Sequence, residues 1–194
     1  MSHFRSALFR RLAFSFLVWA TVGSADSATN HLHQWPQWRG PLANGVAPLA
    51  NPPVEWSEKK NVRWKVELPG RGHSSPIVFG DRVYLLAAGP VGAAQKAVHD
   101  SAPGVHDSVP VTRTNQYLVL ALRRSDGRTL WKKNVREEWP HEGGHDTGSP
   151  ASNSPVTDGE FIYAFFGSRG LYCLDTNGAL GFRTVSTKRV HWWH

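Results

Sequence analysis

The sequence predicts an all-β fold built from repeated four-stranded units. The chain of 194 residues contains 18 Gly, 13 Pro and nine Trp but only one Met, a composition typical of strands and turns rather than of packed helices. A hydrophobic fraction of 40% allows a buried core, and a charged fraction of 19% argues against wholesale disorder. The length suits one ordinary domain.

The most informative observation is an internal similarity between two segments. Residues 75–84 (SPIVFGDRVY) recur 79 positions later as residues 154–163 (SPVTDGEFIY). Ser, Pro, Gly and Tyr are identical, and three further positions are chemically equivalent. Each copy predicts a short strand, a tight turn that contains the glycine, and a second strand. Proline is compatible with the start of a strand because its missing N–H falls outside the ladder.

A second pair of matching segments follows at a different spacing. Residues 120–127 contain LAL and then DG, and residues 172–178 contain YCL and then NG, at an offset of about 52. The first copy therefore holds an insertion at 89–115, predicted to be a surface loop because it lacks strand or helix periodicity. Four strands in a corrected period of about 52 residues are typical of a β-propeller blade. We expect residues 63–182 to form a partial β-propeller of about two four-stranded blades; a plain β-sandwich is the alternative.

Residues 1–25 have the three parts of a secretory signal peptide. Arginines precede an apolar stretch from Leu12 to Val22, and small residues precede a cleavage point after Ala25. Eleven apolar residues fall short of the roughly 20 that span a bilayer. We therefore expect a periplasmic or extracellular protein with no transmembrane anchor after cleavage. Cys173 lies on an alternating apolar segment and is predicted to be a buried thiol.

The segments that flank the predicted propeller differ from it in composition. Residues 26–62 form a Trp- and Pro-rich extended segment, in which Trp35, Trp38 and Trp56 are predicted to pack over the propeller edge. A sugar-stacking platform is the alternative for these tryptophans. Residues 183–194 lack strand alternation and end in a basic, aromatic sequence. We interpret them as an aberrant tail from a truncated or frameshifted reading frame, so that the chain would be an incomplete copy.

The basic character of the chain is confined to its ends. The formal net charge is +7, but six of the 22 basic residues lie in the first eleven or the last twelve positions. The remaining residues, 12–182, carry nearly equal numbers of basic and acidic side chains. A nucleic-acid-binding face is therefore not supported.

A spaced motif connects the second hairpin of each copy to a known family. Ala121, Gly127 and Trp131 follow the pattern A-x5-G-x3-W, which is similar to the tryptophan-docking motif of quinoprotein-type propellers. That family has Asp two positions after the alanine, whereas this chain has Arg123. A Trp on an outer strand buries about 150–250 Å² against a neighbouring blade, and Gly permits the positive φ of the turn.

The second copy carries the same motif in altered form. Asp175 keeps the acidic position and Gly178 the turn, while Phe182 stands where the tryptophan would fall. Residues 34–180 as a whole resemble secreted proteins with pyrroloquinoline-quinone-like β-propeller repeats. The resemblance implies a propeller fold, and it implies little about catalysis because most such relatives have no assigned reaction.

Residues 141–145 (HEGGH) satisfy the H-E-x-x-H pattern of zinc proteases. That chemistry requires a helix, which brings both imidazoles onto one face. Pro140 precedes the segment and two glycines occupy its centre, and each Gly costs about 1 kcal/mol in a helix. We therefore predict a glycine-rich connection between blades and assign no catalytic residue and no metal ligand.

The connections before the two copies still offer candidate ligand-binding residues. In a propeller, equivalent connections emerge on one face near the central channel. Their polar side chains could bind carbohydrate, an anion or a metal; the alternative is that they cap strand ends and bind water. The candidates are Arg71, His73, His141, Glu142 and His145.

The sequence leaves two main hypotheses for the function of the protein. The first is an exported, non-catalytic propeller that acts as a binding or scaffold module for an unknown protein or carbohydrate ligand, without a cofactor. The alternative is a pyrroloquinoline-quinone-dependent dehydrogenase, for which the resemblance implies a calcium site with Glu and Asn ligands and a catalytic Asp. None of these residues can be assigned in this sequence. A zinc hydrolase is a third and weaker hypothesis.

Overall fold

The computed structural model describes residues 30–97, 108–141 and 143–184. These ranges contain ten β-strands and a short 3-10 helix at Gly167–Arg169. The strands are β1 (Ile77–Phe79), β2 (Arg82–Val91), β3 (Ser108–Val109), β4 (Thr114–Arg123), β5 (Thr129–Glu138), β6 (Gly144–His145), β7 (Val156–Thr157), β8 (Phe161–Phe165), β9 (Leu171–Asp175) and β10 (Leu180–Thr184).

The strands form two four-stranded antiparallel sheets with the same connectivity. The first sheet has the order β1-β2-β4-β5, and the second runs β7-β8-β9-β10. Strands β3 and β6 make a separate two-stranded pair. Pro76 directly precedes β1 and Pro155 directly precedes β7, so these prolines begin the first strands of two different sheets. The chain is thus mostly β, and no closed sheet is formed among the residues that the structure describes.

The core lies between the two sheets, because β2 and β4 of the first face β8 and β9 of the second. One buried cluster joins residues of both sheets; a second covers the opposite face of the first sheet, with Trp64 against it. Residues Leu118–Leu122 of β4 are buried on both faces. This explains why the segment is continuously apolar instead of alternating.

The predicted insertion loop at 89–115 is shorter than expected. Strand β2 continues to Val91 and β4 begins at Thr114, so that both ends of the insertion extend one long hairpin. Within the insertion, Ser108–Val109 forms β3. Periodicity could not reveal the extended ends of β2 and β4, because their pairing with each other holds these residues in the ladder. Residues 98–107 lie outside the described ranges.

The N-terminal segment connects the first strands of the two sheets. Trp35 and Val78 exchange backbone N–H···O bonds of 2.8 Å, and the Pro36 carbonyl accepts a bond of 2.9 Å from the Thr157 N–H. The side chains of Trp38 and Trp56 are 61% and 77% exposed. They do not pack against the sheets, contrary to the prediction.

The remaining sequence predictions concern the ends of the chain and the cysteine. Strand β10 includes residues 183 and 184, the first two of the predicted tail, while residues 185–194 and the predicted signal peptide lie outside the described part. No helix in the described part is long and apolar enough to cross a membrane. Cys173 is buried, and that burial raises the pKa of its thiol.

A tryptophan of the first sheet docks on a hairpin turn of the second. The Trp131 indole N–H donates to the Thr176 carbonyl at 2.9 Å. A Cβ added to Gly178 would lie 2.8 Å from the indole ring, and φ of this glycine is +84°. Asp175 shapes the turn, since its carboxylate accepts bonds of 2.8 Å from the N–H groups of Asn177 and Ala179. Glycine is therefore required by backbone conformation and by space together.

The same contact occurs one step earlier along the chain. The Trp64 indole N–H donates to the Arg124 carbonyl at 2.9 Å. A Cβ on Gly127, whose φ is +75°, would lie 2.4 Å from the Trp64 ring. Ala121, completely buried in β4, is the cross-strand partner of Trp131. Each turn glycine thus receives a tryptophan that precedes its sheet in the chain, Trp131 from β5 and Trp64 from the segment before β1.

Replacing Gly178 by Ala tests this docking contact. Gly45 has nearly the same backbone conformation, φ +85°, but an added Cβ there meets nothing within 4 Å. We expect Gly45→Ala to lower the free energy of unfolding by about 1 kcal/mol through positive-φ strain alone. Gly178→Ala should cost about 2–4 kcal/mol, because overlap with Trp131 is added. Urea denaturation measures both; equal losses would contradict a packed indole.

The turn between β7 and β8 predicts a pH dependence of stability. The Asp158 carboxylate accepts bonds from the N–H groups of Phe161 at 2.7 Å and Glu160 at 2.9 Å, and from the Tyr163 hydroxyl at 2.9 Å. These bonds, that of Phe161 foremost, hold the pKa of Asp158 below its ordinary value of 3.8. The ionised group therefore stabilises the fold above pH 3.8, and this contribution is lost as pH falls through the lower folded-state pKa.

We expect Asp158→Ala to lower the free energy of unfolding by about 0.5–1 kcal/mol at neutral pH, since the site is solvent-screened. The difference from the unsubstituted chain should shrink below pH 3.8. Asp158→Asn is the matched control, because it keeps an acceptor oxygen without the titration. Denaturant unfolding at several pH values measures the effect, and a difference that stays constant into acid would exclude this role for the carboxylate.

Candidate functional site

A cleft of about 860 Å³ lies where the two sheets meet. The first sheet contributes the ends of β2 and β4 to its lining, and the second contributes the 3-10 helix after β8. Residues 109–113, and most of residues 143–150, form a further part of the wall. Its volume is within the range of about 300–1,000 Å³ that small-molecule sites occupy in proteins.

A buried arginine connects the two sheets at the inner end of the cleft. Arg169 is only 7% exposed. Its Nε donates to the Tyr117 hydroxyl of β4 at 3.1 Å, and its Nη1 contacts the carboxylate of Glu138 at the end of β5 and the imidazole Nδ1 of His141. Arg136 binds the second oxygen of Glu138. A buried guanidinium requires such partners, because its charge cannot be left without compensation.

The local sequence explains how a charged residue is held here between apolar strands. The segment Phe166–Gly170 leaves β8, makes one 3-10 turn and returns into β9. Gly167 and Gly170 have φ of +59° and +111°, a conformation that glycine adopts without strain. The Tyr172 hydroxyl donates to the Arg169 carbonyl at 2.7 Å and fixes the turn.

Three of the sequence-predicted residues meet at this cleft. Arg71, His141 and His145 all line it. Arg71 donates from both terminal nitrogens to the Asp146 carbonyl at 3.3 Å, and its own carbonyl accepts from the Ser149 hydroxyl at 3.2 Å. His141 also lies 3.3 Å from the Ser168 hydroxyl through Nε2.

Two other predicted residues do not contribute to the described site. His73 is exposed and is absent from the cleft lining; its backbone N–H donates to the Ala151 carbonyl at 3.1 Å. Glu142 lies outside the described residues.

The H-E-x-x-H segment does not form a helical metal site. Gly144 and His145 belong to strand β6, where they pair with β3. His145 Nδ1 lies 2.8 Å from the Thr147 hydroxyl, whereas His141 contacts the 3-10 turn. Over 30–97, 108–141 and 143–184, no group of three or more His, Cys, Asp or Glu side chains could hold a metal ion.

Three residues that shape the cleft were not predicted from the sequence. Arg169 and Tyr117 form its buried polar end, and Arg113 lies on its wall. A signal was present for Arg169, because a lone charge between two glycines interrupts the apolar run from Ala164 to Leu174. Tyr117 and Arg113 had no such signal; they enter the cleft only through the pairing of β2 with β4.

The cleft is rich in donors and positive charge. Three arginines line it, at positions 71, 113 and 169, against one aspartate, Asp146. The Asp146 carboxylate is engaged in its own turn, where it accepts the Thr147 N–H at 2.6 Å and lies 2.9 Å from His145 Nδ1. The arrangement is suited to holding an acceptor-rich or anionic group.

No protein-family model matches the chain, and no curated protein is significantly similar to it. Function therefore rests on the chemistry of the cleft.

Replacing Arg169 tests the buried network. We expect Arg169→Ala to lower the free energy of unfolding by about 2–4 kcal/mol, because the Tyr117 hydroxyl and the Glu138 carboxylate lose a buried partner. Arg136→Ala removes the other arginine from the same carboxylate and should cost about 1 kcal/mol, since its side chain is more exposed and bridges no sheets. Chemical denaturation compares the two, and a larger loss for Arg136→Ala would contradict this ranking.

Proposed function

We propose that the chain is an exported, non-catalytic binding module of the β-propeller type, and that its ligand occupies the cleft between the two sheets. The observation that carries the proposal is a cleft to which both sheets contribute and whose wall includes three arginines. Recognition by loops at one end of packed sheets is a common use of such scaffolds.

The geometry of the two sheets supports their interpretation as successive propeller blades. Both have the same strand order, and each starts directly after a Ser-Pro dipeptide. Trp131 of the first sheet docks on the Gly178 turn of the second, in the way that Trp64 docks on the Gly127 turn of the first. A repeated contact of this kind favours stacking in one direction around an axis.

The cross-strand register gives independent support. One four-residue row crosses each sheet at corresponding positions, and the fourth member is aromatic in both. The rows are Ile77, Tyr84, Ala121 and Trp131 in the first sheet, and Val156, Tyr163, Cys173 and Phe182 in the second. Phe182 is 51% exposed. It occupies in the second sheet the position that Trp131 occupies in the first, where Trp131 contacts the next sheet. We propose that the face that carries Phe182 receives a further sheet of the same kind.

The dehydrogenase alternative finds little support in the donor set of the cleft. A calcium ion takes six to eight oxygen ligands, with carboxylates prominent among them. The described lining supplies one carboxylate, Asp146, and two side-chain amides, Asn115 and Asn153. Since the Asp146 carboxylate is engaged in its own turn, these residues do not fit the quinone–calcium site, and we derive no step through it.

Filling the cleft tests the proposed function. Gly144 lines the cleft, an added Cβ there meets nothing within 4 Å, and its φ lies outside the left-handed region. A tryptophan at this position, Gly144→Trp, should occupy the cleft without destabilising the fold. We expect the unsubstituted chain to bind at least one member of a panel of neutral and acidic oligosaccharides and peptides, and Gly144→Trp to bind none of them. Calorimetry measures the binding.

Lys132→Trp is the matched control, because it adds the same ring to an exposed position of β5 that does not line the cleft. It should bind as the unsubstituted chain does. Binding that persists in Gly144→Trp, or the absence of binding to every probe, would overturn the proposal. Oxidation of alcohols or sugars in a dye-linked assay with added quinone and calcium would overturn its non-catalytic part.

A further inference from the structure

The charge on the cleft wall is not neutralised by its neighbours. Arg169 forms an ion pair with Glu138. Asp146 is the only carboxylate residue on the described lining, and Arg71 donates to its backbone carbonyl rather than to its carboxylate. Arg113 is exposed on the same wall. The lining therefore includes the guanidinium groups of Arg71, which also bonds the Asp146 carbonyl, and of Arg113. A guanidinium binds a carboxylate in bidentate geometry, more strongly than it binds a neutral oxygen.

The buried end of the cleft adds a donor rather than an acceptor. The Tyr117 hydroxyl accepts its bond from Arg169, so its own proton is directed elsewhere. Tyr117 lines the cleft and is only 2% exposed. Ser168 of the 3-10 turn also lines the cleft, with its hydroxyl 3.3 Å from His141 Nε2. A ligand that reaches this end must offer acceptor atoms.

The rest of the wall is largely apolar, with a few uncharged polar side chains. The hydroxyl of Thr112 and the amides of Asn115 and Asn153 can each donate and accept, which matches the hydroxyl groups of a saccharide. The aromatic rings of the wall, Tyr117 and Phe166, pack edge-to-face on each other with centroids 5.5 Å apart. Because both are buried in this contact, ring stacking on a neutral sugar is not the mode of recognition that this cleft favours.

We propose that the cleft binds an acidic saccharide, whose carboxylate is held by Arg71 and Arg113 and whose hydroxyl groups pair with the few uncharged polar side chains of the wall. This inference rests on the proposed binding function and adds the ligand class to it. The cleft volume of about 860 Å³ is large enough for a small oligosaccharide.

Calorimetric titration with trigalacturonate tests the proposal, with its methyl ester as the matched neutral ligand. The two ligands share ring structure and hydroxyl pattern, and the ester replaces each carboxylate charge by a neutral methyl ester. We expect the acid to bind at least about 10-fold more tightly than the ester at low salt, since a charge-assisted pair is worth roughly one decade in Kd. Added salt should reduce this difference.

Substitutions separate the role of charge from that of shape. Arg71→Gln and Arg113→Gln should each weaken binding of the acid by about 10-fold and leave binding of the ester unchanged. Arg124→Gln, an exposed arginine outside the cleft, should change neither. Circular dichroism of each variant shows that the fold is retained.

The results of these experiments separate a failure of the acidic-saccharide inference from a failure of the proposed binding function. If acid and ester bind equally and Gly144→Trp blocks both, the cleft binds saccharides but the charge assignment is wrong. If hexaglutamate binds more tightly than trigalacturonate, the ligand is an acidic peptide and the saccharide assignment is wrong. Binding that survives in Gly144→Trp overturns the proposed function itself, and no binding of either sugar overturns this inference.

Discussion

The separation and register of the two sheets depend on the contact between a tryptophan on one and a glycine turn on the next. Trp131 can reach the turn only because residue 178 has no side chain, and the turn has its shape only because glycine tolerates a φ of +84°. The indole N–H then finds a carbonyl acceptor at Thr176, so that no polar atom of the ring is left buried and unpaired. Packing, backbone conformation and hydrogen bonding all depend on one residue being glycine.

The cleft is a consequence of this docking. The sheets meet along apolar rows at their centre, and at one end Arg169 connects Tyr117 and Glu138 of the first sheet to the 3-10 turn of the second. The polar network forms where the apolar contact ends, because a guanidinium needs partners from both sides to be buried. The scaffold thus brings donors together at a place where loops from several parts of the chain are near one another.

The sequence was sufficient to predict the strand architecture, because the information is local. Repeated segments with a Ser-Pro dipeptide and glycine-containing turns predicted both four-stranded sheets, and Pro76 and Pro155 directly precede the first strand of each. The candidate site was only partly predictable. Arg71, His141 and His145 were found through their places in loops, whereas Arg113 and Tyr117 reach the cleft through long-range pairing of β2 with β4. The length of the β2–β4 hairpin could not be predicted from the sequence, since its outer residues show no periodic pattern.

A double-mutant cycle between Trp131 and Gly178 tests the central claim most directly. Unfolding free energies are measured for Trp131→Ala, for Gly178→Ala and for the double variant. If the ring packs against the turn, the alanine at 178 should cost much less once the indole is removed, with a coupling energy of about 1–3 kcal/mol. Costs that add independently, within about 0.5 kcal/mol, would show that the two residues do not touch and would contradict the docking of the sheets.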